Sequence, residues 1–317
     1  MSLKERLLVG VVRGVVRVRF AIGSRFRTRF ADYPEDPERP WLAEYAALGI
    51  PETVQPIPDV PLHRFLYDAA EESPDDGLVQ RGTTVTYPVV LDHAERLATA
   101  LAERGVGTGD RVATILPTSV QFVVVDSAIS IAGGVHVPND FLDATEDLEY
   151  RLEQSGADVL VGHDAHEELV FELADRVGID DVILTTVADY SSDPPDHDPR
   201  DDAEWLPDVI DWAARDPPSV EVDPATDVHT LLFTGGTTGR PKGVQLTHRN
   251  LVANVLQSDA MAGAIGGGDS TSLLAQPAYH AYGYTALHGQ IQGGGSVALV
   301  DDARDVERMA DVIEEHD

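Results

Sequence analysis

The sequence predicts an α/β fold: layered, largely parallel sheets covered by helices. Two observations carry that class. Short apolar runs of strand character recur at residues 112–116, 135–137, 159–161, 182–185, 228–233, 272–275 and 297–300, and helical patterns fill most of the intervals between them. Apolar strands separated by helices connect in parallel and bury both faces of a sheet. The 317 residues, 43% of them hydrophobic, are enough for a substantial core. No internal repeat or heptad pattern competes with that reading.

Taken in order, residues 1–30 are a basic amphipathic segment, with Lys4, Arg6, Arg13, Arg17, Arg19, Arg25, Arg27 and Arg29 against Glu5 alone. Wound as a helix, Arg6, Arg13 and Arg17 share one side, while Leu7, Leu8, Val11, Val12, Val15 and Val18 cover most of the rest. The apolar run is far short of the roughly 20 residues a spanning helix needs. Arginines also interrupt the region that a signal peptide keeps apolar. Two readings stand: contact with a membrane surface, or a helix or strand docked on the protein's own body.

Residues 31–62 are rich in proline and acid and read as an extended wrapping segment, with one short helix at Trp41–Leu48. A first α/β subdomain is expected over 63–190. It opens with helical spacing at 62–72, a short strand at "TVTY", a helix over 91–103 closed by Gly105, and "GTGDRVATILP", a turn feeding a buried strand. Residues 191–227, where "SSDPPDHDPRDD" and "RDPPSVEVDPATD" flank a short helix at 205–213, read as an acidic, proline-rich linker. The start of a second α/β subdomain follows over 228–317.

Asp and Glu number 55 against 23 Lys plus Arg, a net charge of −32. A surface of that sign repels nucleic acid phosphates, so no nucleic acid partner is expected. The acidic excess is spread along the chain and the basic residues are almost all arginine, a pattern that resembles proteins of salt-accumulating halophiles. The absence of cysteine excludes disulfides and thiolate chemistry by this chain.

Lysine occurs only at positions 4 and 242, and the second lies beside an unusual loop. The strand at 228–233 runs into Thr234, Gly235, Gly236, Thr237, Thr238 and Gly239, then Arg240, Pro241, Lys242 and Gly243. Glycines let a backbone turn its N–H groups toward an anion, threonine hydroxyls add donors, and lysine supplies a compact positive charge. That is phosphate-binding chemistry. The Walker spacing fails, because Arg240 and Pro241 separate the last glycine from the lysine.

"FTGGTTGRPKGVQLTHRNL" resembles the signature of the adenylate-forming enzymes, the family of acyl-CoA synthetases, firefly luciferase and peptide-synthetase adenylation domains. "VTYPVVLDHAERLATALAERGVGTGDRVATILPTSVQFV", "SIAGGVHVPND", "LEYRLEQSGADVLV" and "QPAYHAYGYTALHGQIQGGGSVALV" resemble further elements of the same family. The resemblance implies that Thr234, Gly235, Gly236, Thr237, Thr238, Gly239 and Lys242 grip the β- and γ-phosphates of ATP. His280, after "PAY", matches a family position that borders the acyl and adenylate pocket, which implies a gate and orienter; a partly buried histidine satisfied by backbone is the plainer alternative. Tyr279, Tyr282 and Tyr284 read as pocket wall and packing. His163 and His166 in "GHDAHEE" read as a solvated acidic helix start rather than a metal site, and residues 247–250 as the cap of the helix after the loop.

The implied reaction activates a fatty carboxylate with Mg-ATP to an acyl-adenylate and passes the acyl group to CoA. ATP, Mg2+ and CoA are therefore the expected cofactors. "RPWLAEYAALGIPETVQPIP" resembles the entry segment of long-chain fatty acyl-CoA synthetases. The family's later magnesium-binding acid, ribose-binding aspartate and C-terminal lysine are not matched within these residues. The expectation is thus an incomplete large N-terminal domain of an adenylate-forming enzyme, with a cytoplasmic location. Two functions remain open: a synthetase that works with a separately encoded C-terminal half, or a non-catalytic nucleotide-binding or membrane-associated remnant.

Overall fold

A computed structural model describes residues 39–234, 240–262, 271–302 and 304–315. The expectations for residues 1–30 and for Gly235, Gly236, Thr237, Thr238 and Gly239 lie outside the described residues. Helix α1 (Trp41–Leu48) belongs to a compact unit distinct from the body that holds both sheets. It stops at Gly49, whose φ of 73° is a left-handed cap that glycine adopts without penalty.

The larger sheet is built from β3 (Arg111–Ile115), β4 (Val135–Asn139), β5 (Val159–His163), β6 (Asp181–Thr185), β7 (Glu204–Trp205), β8 (Val228–Thr234) and β9 (Lys242–Thr247), in the spatial order β7-β6-β5-β3-β4-β8-β9. Every neighbouring pair is parallel except β8 with β9. Strands on both sides of the acidic, proline-rich stretch, β6 and β8, lie in this one sheet. The smaller sheet has the order β10-β11-β1-β2, formed by β1 (Gly77–Gln80), β2 (Thr83–Thr86), β10 (Ser272–Leu274) and β11 (Val297–Leu299). Arg81 and Gly82, both with positive φ, make the two-residue turn that joins β1 to β2, as the twist of a tight hairpin demands.

Helix α2 (Arg64–Glu72) precedes β1, and α3 (Tyr87–Glu103) follows β2 and packs on α4 (Val120–Ala132). Every residue of α4 is buried, which is why its sequence "VQFVVVDSAISIA" shows no polar face. Ser119 caps its start by accepting from the Phe122 N–H at 3.2 Å, and Gly133 ends it with φ 82°. Helices α5 (Thr145–Ser155) and α6 (Glu167–Val177) supply Leu148, Leu152, Val170 and Leu173 to a core shared with Ile115, Val137 and Leu160. Each such side chain contributes roughly 1.5–3 kcal/mol by leaving water. Helices α7 (Leu206–Trp212), α8 (His248–Ala262), α9 (Ala281–Gly293) and α10 (Val306–Glu315) complete the described chain. No helix among the described residues is long and apolar enough to cross a membrane.

Candidate active site

Lys242 is the first residue of a strand, which its sequence context does not announce. In the β8–β9 pairing it stands directly opposite Thr234, so the two described strand ends that flank the glycine-threonine stretch in sequence face each other. The Thr234 hydroxyl lies 3.5 Å from the Lys242 carbonyl oxygen. Gly243 admits this arrangement: a Cβ there would meet Leu231 Cδ1 at 2.9 Å. Lys242 is exposed, and among the described residues no carboxylate is paired with it, although the chain carries 55 acidic residues. Arg240 is engaged elsewhere, its guanidinium 4.8 Å from the Tyr150 ring centre. Beyond the hairpin, Thr247 and Asn250 cap α8 reciprocally: the Asn250 N–H donates to Thr247 Oγ1 at 3.3 Å and the Thr247 N–H to Asn250 Oδ1 at 3.1 Å.

His280 is the residue before α9, with φ −105° and ψ 148°. Two tethers fix the turn that carries it. Thr118, just past β3, accepts from the Ala278 N–H at 2.8 Å, and the His280 N–H donates to the Pro277 carbonyl at 3.1 Å. Gly283 then lies so close to the Pro277 carbonyl that a Cβ would come within 2.0 Å of its oxygen. The His280 ring is 58% exposed, with Nε2 3.5 Å from Asp140 Oδ2. Tyr279 packs edge-on against Phe141, Tyr282 is 73% exposed and Tyr284 is fully buried. Burial pushes the Tyr279 phenol up, so it stays protonated.

The sheet register unites these parts. β4 and β8 run parallel with His136 opposite Thr230, and from that pair the two chains continue to Asp140 and Thr234 at the same level. Thr234, Lys242, Asp140 and His280 therefore gather at the carboxyl edge of neighbouring strands, where open α/β sheets bind ligands. His163 and His166 have other partners: the Val187 N–H donates to His163 Nε2 at 3.2 Å, and His166 stacks on Phe141, the residue after Asp140, with ring centres 4.7 Å apart. Among the described residues no group of His, Cys, Asp or Glu is arranged to hold a metal.

Behind the edge lies a polar cluster that sequence reasoning missed. Asp126, in the middle of α4, is 1% exposed. Its Oδ1 accepts from His136 Nδ1 of β4 at 2.7 Å and from the Tyr284 hydroxyl of α9, while His288 Nε2 lies 3.3 Å from Oδ2. His229 Nδ1 of β8 is 3.1 Å from the Tyr284 oxygen. Burial drives the Asp126 carboxyl up, but His229 facing it, the hydrogen bond of His136 and the close approach of His288 outweigh that and hold it well below the usual range. Burial pulls His229 well below its ordinary value and His248, stacked edge-on against it, to about 3. Titratable residues set among apolar ones, Asp126 in "VVVDSAIS", His136 in "GVHVP" and His229 in "VHTLLF", were the available signal.

Residues 66–317 match the family model of the AMP-binding enzymes. The chain belongs to the AMP-binding enzyme family. Among AMP-binding relatives it is 30% identical over 266 residues to a long-chain-fatty-acid–CoA ligase of Bacillus subtilis, covering 79% of this chain and 47% of that one. To a feruloyl-CoA synthase of an Amycolatopsis species it is 34% identical over 218 residues, 67% of this chain and 38% of the relative. The ATP-bound crystal structure of MatB from Rhodopseudomonas palustris superposes with a TM-score of 0.66 at 25% identity, covering 82% of this chain and 48% of that one. The chain thus spans about half the length of the AMP-binding proteins it matches. Its layered α/β architecture is that of their N-terminal part.

Proposed function

We propose that this chain forms the triphosphate- and carboxylate-binding part of an acyl-CoA ligase, which activates a fatty acid with ATP and transfers the acyl group to CoA. The observation that carries the reading is the meeting of Thr234, Lys242 and His280 at one carboxyl edge of the sheet. Lys242, exposed and without a carboxylate partner among the described residues, fits a triphosphate, as does the glycine- and threonine-rich sequence that begins at Thr234. In this role Lys242 and the Thr234 hydroxyl hold the β- and γ-phosphates against developing charge. The His280 ring, steadied by Asp140, borders the carboxylate's entry and orients it. No described residue is assigned to Mg2+, which would arrive chelated by the nucleotide.

A long-chain fatty acid is preferred as substrate on the resemblance of the segment that contains α1, while the feruloyl-CoA relative keeps an aryl acid as the competing class. Since the chain spans about half its relatives' length, the assay supplies their unmatched part as a second polypeptide. Pyrophosphate exchange driven by palmitate, and abolished by Lys242→Ala, is the expected result. Exchange driven by ferulate alone would replace the fatty acid, and exchange indifferent to Lys242→Ala would remove the hairpin from the site. Absence of exchange under all these conditions would favour the binding remnant.

A further inference from the structure

The cluster around Asp126 joins four elements, and three of them lead to the candidate site. Strand β8 carries His229 and Thr230 in the cluster and Thr234 at the edge. Helix α9 carries Tyr284 and His288 in the cluster and starts at His280. One turn separates them: the Tyr284 N–H donates to the His280 carbonyl at 2.8 Å. Strand β4 carries His136 and leads to Asp140, the partner of the His280 ring. A second bond locks β4 to β8, since the Thr230 hydroxyl donates to the His136 carbonyl at 2.9 Å.

We propose that Asp126 is a positioning residue: by gripping Tyr284 and His288 of α9 together with His136 of β4, it sets the helix that begins at His280 against the strands that lead to Asp140 and Thr234. The inference rests on reading those edge residues as one adenylation site. Its physical basis is the directionality of charged hydrogen bonds. An apolar residue at 126 would fill the same space and allow α9 to slide or rotate by packing alone, whereas a carboxylate with three facing groups admits one arrangement of them. Its hydrogen-bond and ion-pair partners are imidazoles and a phenol. Every one of them sits on an element that reaches the site edge. Tyr284 links the grip onward to His229 of β8, and His136 is held at its other ring nitrogen by Thr114 at 2.8 Å.

The test uses the whole chain labelled with 15N, comparing wild type with Asp126→Asn, which keeps the shape and removes the charge. Imidazole spectra report His280, the backbone amide reports Thr234, and the indole N–H signals of Trp205 and Trp212, on β7 and α7, serve as controls away from the cluster. The expected result is a shift of both His280 ring nitrogens and of the Thr234 amide while the two indole signals stay in place. His280 signals that do not move overturn the proposal. Uniform change at all reporters also overturns it, because Asp126 would then be a general stabiliser of the core. Should Asp126→Asn fail to fold, Tyr284→Phe, which removes one hydroxyl of the grip, decides by the same pattern. These spectra need no turnover, so a chain that shows no pyrophosphate exchange refutes the adenylation reading and leaves the positioning role to be judged on the shifts.

Discussion

His280 Nε2 lies 3.5 Å from Asp140 Oδ2, which ties the residue before α9 to the residue just past β4. The contact is half exposed on the histidine side, so removing it costs the fold no more than about 1 kcal/mol. Asp140→Asn is therefore expected to leave the melting temperature almost unchanged while altering the ranking of acyl chains, with the KM for ATP constant. A parallel loss for every acid would show that Asp140 does not act through the His280 ring.

Lys242→Ala is expected to weaken nucleotide use without unfolding the protein, because the side chain is exposed. A lost charged hydrogen bond of about 2 kcal/mol corresponds to roughly a thirtyfold rise in the KM for ATP. Steady-state exchange at varied ATP measures it, and a rise in the fatty acid KM alone would place the lysine elsewhere.

Gly283→Ala forces a methyl into the Pro277 carbonyl oxygen, 2.0 Å away, so the first turn of α9 must shift. Overpacking of this kind costs on the order of 1–3 kcal/mol. Chemical denaturation should report that loss, together with a drop in exchange larger than the drop in stability explains. Full activity would mean that the turn carrying His280 tolerates displacement.

Acid should destabilise the protein well before its carboxylates protonate in the unfolded chain. Burial lowers His63 to about 4 and His248 to about 3, against an ordinary value of 6.5. Below pH 6.5 the unfolded chain takes up protons that the folded one refuses. The stability these groups confer is therefore complete above pH 6.5 and falls as pH drops toward 4 and 3. Across its window His63 accounts for roughly 3 kcal/mol and His248 for roughly 5 kcal/mol. Denaturant midpoints measured between pH 7 and pH 4 should decline steeply, and His248→Gln should make the decline shallower.

Much of the architecture was legible because it is written in apolar periodicity. The runs at 112–116, 159–161, 182–185 and 228–233 became β3, β5, β6 and β8, and the helix over 91–103 lies within α3. Three strands escaped, and one of them, β7, has only two residues and falls at the start of the helix expected over 205–213. β1, "GLVQ", is only four residues long and buried throughout, so it shows no alternation, and its parallel partner β11 is distant in sequence. β9 is exposed at its first four residues, and without a buried face its alternation leaves no hydrophobic trace. The same limit hid the Asp126 cluster. Single polar residues scattered over α4, β4, β8 and α9 form a group only after the chain has folded.

The net charge of −32 yields a prediction about solvent. Salt near 1 M shortens the reach of repulsion to about 3 Å, so the melting temperature should climb between about 0.1 and 1 M KCl. A flat response would separate this acidic composition from any demand for salt.

Among the described residues His280 is the one exposed histidine, while His136, His229, His248 and His288 are buried. An electrophile such as diethyl pyrocarbonate, which acylates accessible neutral imidazoles, would thus mark position 280 first among them. The site edge carries its own chemical label. Slowing of that reaction by palmitate, by ATP or by both would map which ligand covers the ring, without any turnover and without altering a single residue.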